Sequence, residues 1–265
     1  MKPSRRLGLM VPATNTTFEA DYALVVPAGV TLHSHRLWIP REVEGPECLD
    51  RANEGVEEAA RYLASAKVSL IAYGFATGSF FRGIEYDGDL SRRIMNASGL
   101  PAITAATAIL EALRFLRAAS ISVATPYPEW NNNQLLMYLK AAGLRVLNLQ
   151  GDPRPTNVAI RDPLWEQEPK EVLAFASRAF RPEAEALLCA CTAWRSLEVA
   201  DTLEQQLGVP VVTANQATIW ASLRRIGIRD PIQGFGRWLS TPVGPEWPPS
   251  KNRRERIGIE LITHG

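Results

Sequence analysis

Short apolar runs recur along the chain and alternate with longer segments in which apolar residues repeat at helical spacing. Such short runs are typical of buried strands in a parallel sheet. Six candidate strands follow: LGLMV from Leu7, SLIAYG from Ser69, ISVAT from Ile121, RVLNL from Arg145, ALLCAC from Ala186 and PVVTAN from Pro210. The predicted helices between them cover residues 49–66, 106–118, 131–142, 170–179 and 196–206. The alternation indicates βαβ units and an α/β fold.

The two halves of the chain also resemble each other. GLPAITAATAILEALRFL at residues 99–116 aligns with GVPVVTANQATIWASLRRI at residues 208–226, and the apolar strands before these segments match in the same order. We therefore expect two pseudo-symmetric lobes, each a mostly parallel sheet flanked by helices. The first lobe would comprise residues 1–103 plus 216–265, and the second residues 104–215. Because open parallel sheets bind ligands at the carboxyl ends of their strands, the active site should lie in the cleft between the lobes.

Composition and charge argue against several partners. The chain has 265 residues, 46% of them hydrophobic, and a net charge of +1, so it lacks the field that would gather nucleic acid or anionic lipid. The apolar stretch near the start is too short for a signal peptide, and no segment is long and apolar enough to span a membrane. We expect a cytoplasmic protein that binds neither nucleic acid nor membrane. The sequence is compatible with a homo-oligomer as well as with a monomer.

Cofactor and metal motifs are missing from the sequence. No glycine-rich nucleotide fingerprint or P-loop follows a candidate strand, and the GxSxG motif is absent. The three cysteines are too few for a disulfide framework, and the three histidines have no metal-ligand spacing with them. In a duplicated α/β protein with polar, carboxylate-friendly loops after its strands, these absences suggest chemistry on a small acid with no cofactor and no metal.

Cys191 is the principal candidate for a reactive side chain. It stands at the carboxyl end of a predicted strand, with a helix-like segment after it, and amides at a helix N-terminus stabilise a thiolate. The alternative is a structural cysteine in a buried strand, and the spacing alone does not choose between them. Cys189 lies deeper in the same strand, where we expect core packing. Cys48 precedes the predicted helix from Leu49 and has no expected role.

Polar residues follow other strands at the same edge of the sheets. Asn15 and its threonine neighbours can cap a helix, bind a carboxylate with backbone amides, or do both. Thr77 offers similar chemistry in the loop after SLIAYG. Tyr127 lies in a turn from which its phenol could reach the cleft or merely pack. The residues after Ser240 are Pro-rich and then basic, as expected of a solvated tail or a partner contact.

Several motifs together resemble those of a known family. They are VPATNTTFE (Val11 to Glu19), LHSHR (Leu32 to Arg36), YGFATGSFFRG (Tyr73 to Gly83), TPY (Thr125 to Tyr127), TNVAIRDP (Thr156 to Pro163), CTAWRS (Cys191 to Ser196), VVTANQATIW (Val211 to Trp220) and GFGR (Gly234 to Arg237). In order and spacing they resemble the aspartate/glutamate racemase superfamily, in the branch of maleate cis-trans isomerases and arylmalonate decarboxylases. The resemblance covers almost the whole chain and implies a two-lobed, cofactor-independent enzyme.

The resemblance also implies roles for individual residues. Racemases and isomerases of this group use one cysteine from each lobe; Cys191 matches the second, whereas Phe75 stands in place of the first. Arylmalonate decarboxylases likewise keep only the second cysteine, which protonates the enediolate left after carbon dioxide departs.

The substrate-binding positions implied by the resemblance fall into three groups. Thr77, Tyr127 and the backbone amides near Ala76 and Thr192 match oxyanion-binding positions, although decarboxylases carry a hydroxyl where Ala76 stands. Asn15 and Asn157 match carboxylate-binding asparagines of the isomerases, and Pro12 opens the same loop as Asn15. Ile39, Val43 and Phe75 would supply an apolar wall.

Three functions remain at this point. The leading hypothesis is decarboxylation of a substituted malonate or a related small dicarboxylic acid, with Cys191 as the proton donor. The second is isomerisation of a maleate-like diacid with Cys191 alone as the nucleophile. The third is a protein that only binds a small acid, on a fold whose active site is half closed by Phe75.

Overall fold

The computed structural model describes residues 5–40, 42–152 and 167–242. The first lobe contains β1 (Arg5–Pro12), α1 (Thr17–Val25), β2 (Val30–Leu37), α2 (Gly45–Asn53), α3 (Val56–Ser65), β3 (Leu70–Tyr73), α4 (Ala76–Phe80), α5 (Ile84–Ser98) and β4 (Ala102–Thr104). The rest of the described chain forms α6 (Ala105–Phe115), β5 (Ser120–Thr125), α7 (Glu129–Ala141), β6 (Arg145–Gly151), α8 (Pro169–Ala179), β7 (Ala186–Cys189), a 3₁₀ turn (Leu197–Val199), α9 (Ala200–Leu207), β8 (Val211–Thr213) and α10 (Ala214–Arg225).

The strands form two four-stranded sheets with the same topology. Their orders are β2-β1-β3-β4 and β6-β5-β7-β8, and neighbouring strands are parallel in both. The chain therefore connects its strands in the same order in both sheets. The predicted α/β fold with two pseudo-symmetric, helix-flanked lobes is confirmed.

All six predicted strands are present, and the structure adds β2 and β4. β2 is an edge strand in which every residue but Leu37 is at least partly exposed, so it lacks the apolar run of a buried strand. β4 is only three residues long. The single helix predicted for residues 49–66 is wrong, because the chain breaks at Gly55 into α2 and α3.

One apolar core continues across both lobes. It contains inner residues of β1 and β5, such as Leu9 and Val123, and extends along α6 and α10. These two helices pack against each other, and α10 also contacts α1, β3 and β4 of the first lobe. The first sheet ends at Thr104 and the second at Thr213, each within two residues of an expected boundary. The division into lobes at residues 103 and 215 stays a prediction, since the core is shared.

Matched caps begin the two helices that follow the last strand of each sheet. The hydroxyl of Thr104 accepts a bond from the amide of Thr107, and that of Thr213 accepts one from the amide of Gln216, at N–O distances of 3.1 and 3.0 Å. The Gln216 side chain accepts in return from the Thr213 amide, which completes a capping box. The cap fixes the first turn of α10, which faces the candidate site.

Candidate active site

Loops at the carboxyl ends of strands from both lobes meet in a buried hydrogen-bonded chain. The side-chain nitrogen of Asn15, after β1, donates to the hydroxyl of Thr192, after β7, at 3.3 Å. That hydroxyl donates in turn to the carbonyl oxygen of Gly74, after β3, at 2.9 Å. The structure therefore places the predicted loops together where the two lobes face each other.

Asn15 joins α1 to the other lobe. Its Oδ1 accepts bonds from the backbone amides of Thr17 and Phe18, each at 3.0 Å, while its Nδ2 bonds Thr192. The helix-capping interpretation of Asn15 is thereby confirmed. Its carboxylate-binding role stays a prediction.

Cys191 lies two residues beyond the end of β7 and is only 4% exposed. Burial raises the pKa of its thiol to about 11, against the opposing effects of the Tyr127 hydroxyl and the backbone amides of Ala193 and Trp194. The expected helix N-terminus beside Cys191 is wrong, because the chain first makes a turn and α9 begins only at Ala200. At neutral pH the thiol keeps its proton, which suits a proton donor better than a nucleophile.

Phe75 occupies the position in the first lobe that Cys191 occupies in the second. Tyr73 of β3 pairs with Thr104, and Cys189 of β7 pairs with Thr213, so the two strands end in the same register against matching partners. Two residues beyond these pairs the chain reaches Phe75 and Cys191. The pseudo-symmetric site therefore holds one thiol and one phenyl ring.

A small apolar cluster lies beside Phe75. Ile39, Cys48 and Ala52 form a small buried cluster, and Val43 and Phe75 pack against it. The predicted wall residues Ile39, Val43 and Phe75 are thus brought together. Cys48, for which no role was expected, lies within α2 and belongs to this cluster, and its thiol donates to the Pro40 carbonyl oxygen at 3.5 Å.

The predicted oxyanion-binding residues also lie near the strand ends. The hydroxyl of Tyr127 donates to the carbonyl oxygen of Ala190 at 2.8 Å. Thr77 is buried in α4. Ala76 opens the same helix and is buried.

Two further predicted site residues are Pro12 and Asn157, and Cys189 was expected in the core. Pro12 is the last residue of β1 and is buried. Asn157 lies outside the described residues, as does the tail beyond residue 242. Cys189 is fully buried in β7, so its predicted core packing is confirmed.

Sequence reasoning missed two buried residues that hold the Cys191 loop. Asn215, in the first turn of α10, donates from Nδ2 to the carbonyl oxygen of Thr192 at 3.0 Å and to Oδ2 of Asp21 at 2.6 Å. Burial raises the pKa of Asp21 to about 7, reinforced by Glu198 and opposed by the Asn215 bond and by Arg195. Asn215 follows a strand within one of the quoted motifs, a position that could have singled it out, whereas no sequence signal marks Asp21.

We expect Asp21 to make the folded state less stable as the pH rises through the mildly acidic range. The pKa of Asp21 rises from 3.8 to about 7 on folding, so between these values the folded protein holds a proton that the unfolded chain releases. The free energy of unfolding should fall from about pH 4 to about pH 7, and Asp21→Asn should remove that part of the fall. Urea unfolding at pH 5 and pH 8 measures the difference, with Glu129→Gln as control. Equal pH dependence in wild type and Asp21→Asn would contradict it.

The described residues were also compared with the requirements of a metal site and of a membrane span. Within residues 5–40, 42–152 and 167–242, no group of three or more His, Cys, Asp or Glu side chains is arranged to hold a metal ion. None of the helices in these ranges is long and apolar enough to cross a membrane.

Two parallel-sheet lobes of identical topology, with one buried cysteine between them, define a two-lobed α/β protein with a single-thiol candidate site. A family model described as arylmalonate decarboxylase matches residues 7–239, and the chain belongs to this family. The family and fold expected from the motifs are confirmed.

Individual relatives carry two different names. A maleate isomerase from Geobacillus stearothermophilus is 25% identical over 249 residues, covering 89% of this chain and 97% of that protein. An arylmalonate decarboxylase from Bordetella bronchiseptica is 27% identical over 234 residues, covering 83% and 90%. A solved structure of a Nocardia farcinica maleate cis-trans isomerase variant with a covalently bound succinylcysteine intermediate matches with a TM-score of 0.82 and 25% identity, covering 89% of this chain and 98% of that chain. These relatives are enzymes.

Proposed function

We propose that the protein is a cofactor-independent decarboxylase of a substituted malonate or a related small dicarboxylic acid. The observation that carries the proposal is the asymmetry of the site, in which Cys191 is a buried, protonated thiol and Phe75 fills the matching position. A reaction that needs one acid fits this arrangement. A reaction that needs two thiols does not.

The proposed reaction has two steps. The bond between the α carbon and one carboxylate breaks, carbon dioxide leaves, and the electron pair remains on the substrate as an enediolate. The Cys191 thiol then gives its proton to the α carbon and recovers one from water. The leaving carboxylate would face the apolar wall of Ile39, Val43 and Phe75, where loss of charge is favoured.

Oxyanion stabilisation is the second requirement of this reaction. Thr77 lies in the first turn of α4, directly after the strand-end position of Phe75, where its hydroxyl could donate to a substrate oxygen. The backbone amides near Ala76 and Thr192 stand at the paired strand ends. Tyr127 lies beside the thiol, where its hydroxyl partly offsets the effect of burial by lowering the pKa of Cys191.

Isomerisation of a maleate-like diacid is the second candidate. The named maleate isomerases among the relatives favour it, as does the burial of Asn15 beside Thr192. In that case Cys191 alone would add to the double bond as a thiolate.

Product analysis separates the two reactions. The protein is incubated with phenylmalonate, methylmalonate and maleate in turn, and the products are followed by proton NMR together with carbon dioxide release. The decarboxylase proposal expects a monocarboxylic acid and carbon dioxide from a malonate. Fumarate from maleate without carbon dioxide would replace it with isomerisation. Saturable binding of a diacid, measured by calorimetry, with turnover of none of the three would instead identify a protein that only binds small acids.

The pH dependence of turnover should show which form of Cys191 acts. A thiol that donates a proton works in its protonated form, so kcat should stay level through the moderately alkaline range and fall only as the pH approaches the thiol pKa of about 11. A nucleophilic thiolate would give the opposite slope, about tenfold in rate for each pH unit below the pKa. Initial rates between about pH 8 and pH 10.5 measure it, and a steady rise over this range contradicts the role of Cys191 as an acid.

A further inference from the structure

The Asn215 amide forms a bridge between the Cys191 loop and a carboxyl group on another helix. Its Nδ2 carries two hydrogens, and both are used, one on the Thr192 carbonyl oxygen and one on Asp21 Oδ2. Asn215 is 1% exposed and Asp21 5% exposed, so water does not compete for these bonds. Thr192 is the residue next to Cys191. The bridge therefore holds the backbone of the residue that directly follows the thiol.

The Cys191 loop depends on side-chain bonds for its shape. Between the end of β7 and the 3₁₀ turn it has no regular backbone pairing. Apart from the Asn215 bridge, the loop is held by the Thr192 hydroxyl, which bonds Asn15 and the Gly74 carbonyl oxygen, and by the Tyr127 hydroxyl, which donates to the Ala190 carbonyl oxygen. The Thr17 hydroxyl donates to the Ala193 carbonyl oxygen at 3.1 Å, and the Trp194 indole donates to Gln167 at 2.5 Å. Asn215 holds the Thr192 carbonyl oxygen, whereas Asn15 and Gly74 hold the Thr192 side chain. A weaker Asn215 bridge therefore lets the backbone beside Cys191 shift without unfolding a strand or helix.

We propose that Asp21 is a positioning residue for Cys191: the charge of Asp21, acting through the Asn215 amide, holds the loop and makes the exposure of the thiol depend on pH. An ionised carboxylate accepts a charge-assisted bond from Asn215, which keeps the amide aligned with the Thr192 carbonyl oxygen. A protonated Asp21 accepts more weakly, and the amide is then freer to turn. The inference rests on the proposed function only in taking Cys191 as the acting thiol.

The charges around Asp21 set where this change occurs. Glu198 raises the pKa of Asp21, and Arg195, which is paired with Glu198 at 2.6 Å, lowers it. On α1 itself, Glu19 is paired with Arg36 of β2. The first turn of α10 has no acidic residue, and its basic residues lie at the far end of the helix. Glu198 and Arg195 are therefore the charges that tune Asp21.

The test measures alkylation of Cys191 by iodoacetamide, read by mass spectrometry of the peptide and corrected for the thiolate fraction at each pH. In the wild type we expect the corrected rate to rise about tenfold as the pH falls from about 8 to about 6, the equivalent of about 1.4 kcal/mol of lost restraint. Asp21→Asn should show no such rise, called here the pH step, because residue 21 then cannot ionise. Asn215→Ala should react fast at every pH, because the bridge is gone.

Two further variants sharpen the result. Glu198→Gln should move the step to lower pH, since it removes a charge that raises the pKa of Asp21. Glu129→Gln, in an exposed position on α7, should leave the step unchanged. A wild type without a step, or a step that persists in Asp21→Asn, overturns the inference. Because alkylation needs no substrate, this outcome is distinguishable from failure of the decarboxylation assay.

Discussion

Replacing Cys191 by alanine should lower kcat on the preferred diacid by about 10² to 10⁴, the contribution typical of a positioned general acid. Among the described residues, Cys191 is the one thiol at the meeting point of the two lobes, since Cys189 is inside β7 and Cys48 belongs to the apolar wall. The alanine variant removes the proton donor and leaves the loop bonds of Thr192 in place. The KM should change much less than kcat, because the thiol acts on the α carbon and does not bind the carboxylates.

Cys189→Ala is the matched control for this experiment. It removes a thiol of equal size from the same chain segment and should keep kcat within about twofold, because core packing is its role. Urea unfolding of both variants shows whether the fold is retained. If Cys191→Ala keeps wild-type kcat, the proton comes from another group and the proposed mechanism is wrong.

The fold could be predicted from the sequence wherever burial leaves an apolar run. β1, β5 and β7 are buried over most or all of their length and were found directly. β2 was missed because an edge strand faces solvent, and β4 because three residues give no periodicity. The repeated segment did contain β4, since residues 99–116 were aligned with those of β8, so the duplication held information that local patterning lacked.

The site could be predicted only where a residue carries chemistry of its own. Cys191 and Asn15 follow strands, and the carboxyl ends of parallel strands collect such residues. Asp21 gives no comparable signal, because a carboxyl group in an amphipathic helix normally faces water and only the tertiary structure shows that Asn215 packs against it. The pKa values of Asp21 and Cys191 likewise arise from burial, which no local pattern reveals.

The duplicated fold makes the loss of symmetry at the site informative. The two lobes keep the same strand order and the same threonine cap before the last helix, yet Phe75 and Cys191 differ at the matching position. Packing alone favours the same solution in both halves of a repeat. Under the proposed function the two positions have unequal chemical roles, an apolar surface in one lobe and an acid in the other.

Replacing Gly74 by alanine should destabilise the protein by about 1–3 kcal/mol, the range for overpacking a close-packed core. A Cβ at this position would lie 2.6 Å from the nearest ring carbon of Phe18, a fully buried residue of α1. Gly74 cannot move away freely, because its amide donates to the Met10 carbonyl oxygen at 2.8 Å and its carbonyl accepts the Thr192 hydroxyl at 2.9 Å. The strain should also loosen the link between the lobes.

Gly88→Ala provides the control for this substitution. Gly88 lies inside α5 with nothing within 4 Å of its added Cβ, so the same change there should stabilise the protein by about 0.5–1 kcal/mol. A double variant, Gly74→Ala with Phe18→Leu, tests the cause, because a smaller side chain at residue 18 relieves the clash. Its destabilisation should be less than the sum of the two single effects. If Gly74→Ala and Gly88→Ala change the free energy of unfolding equally, the Phe18 ring moves aside without cost. Close packing at Gly74 would then not hold the lobes together.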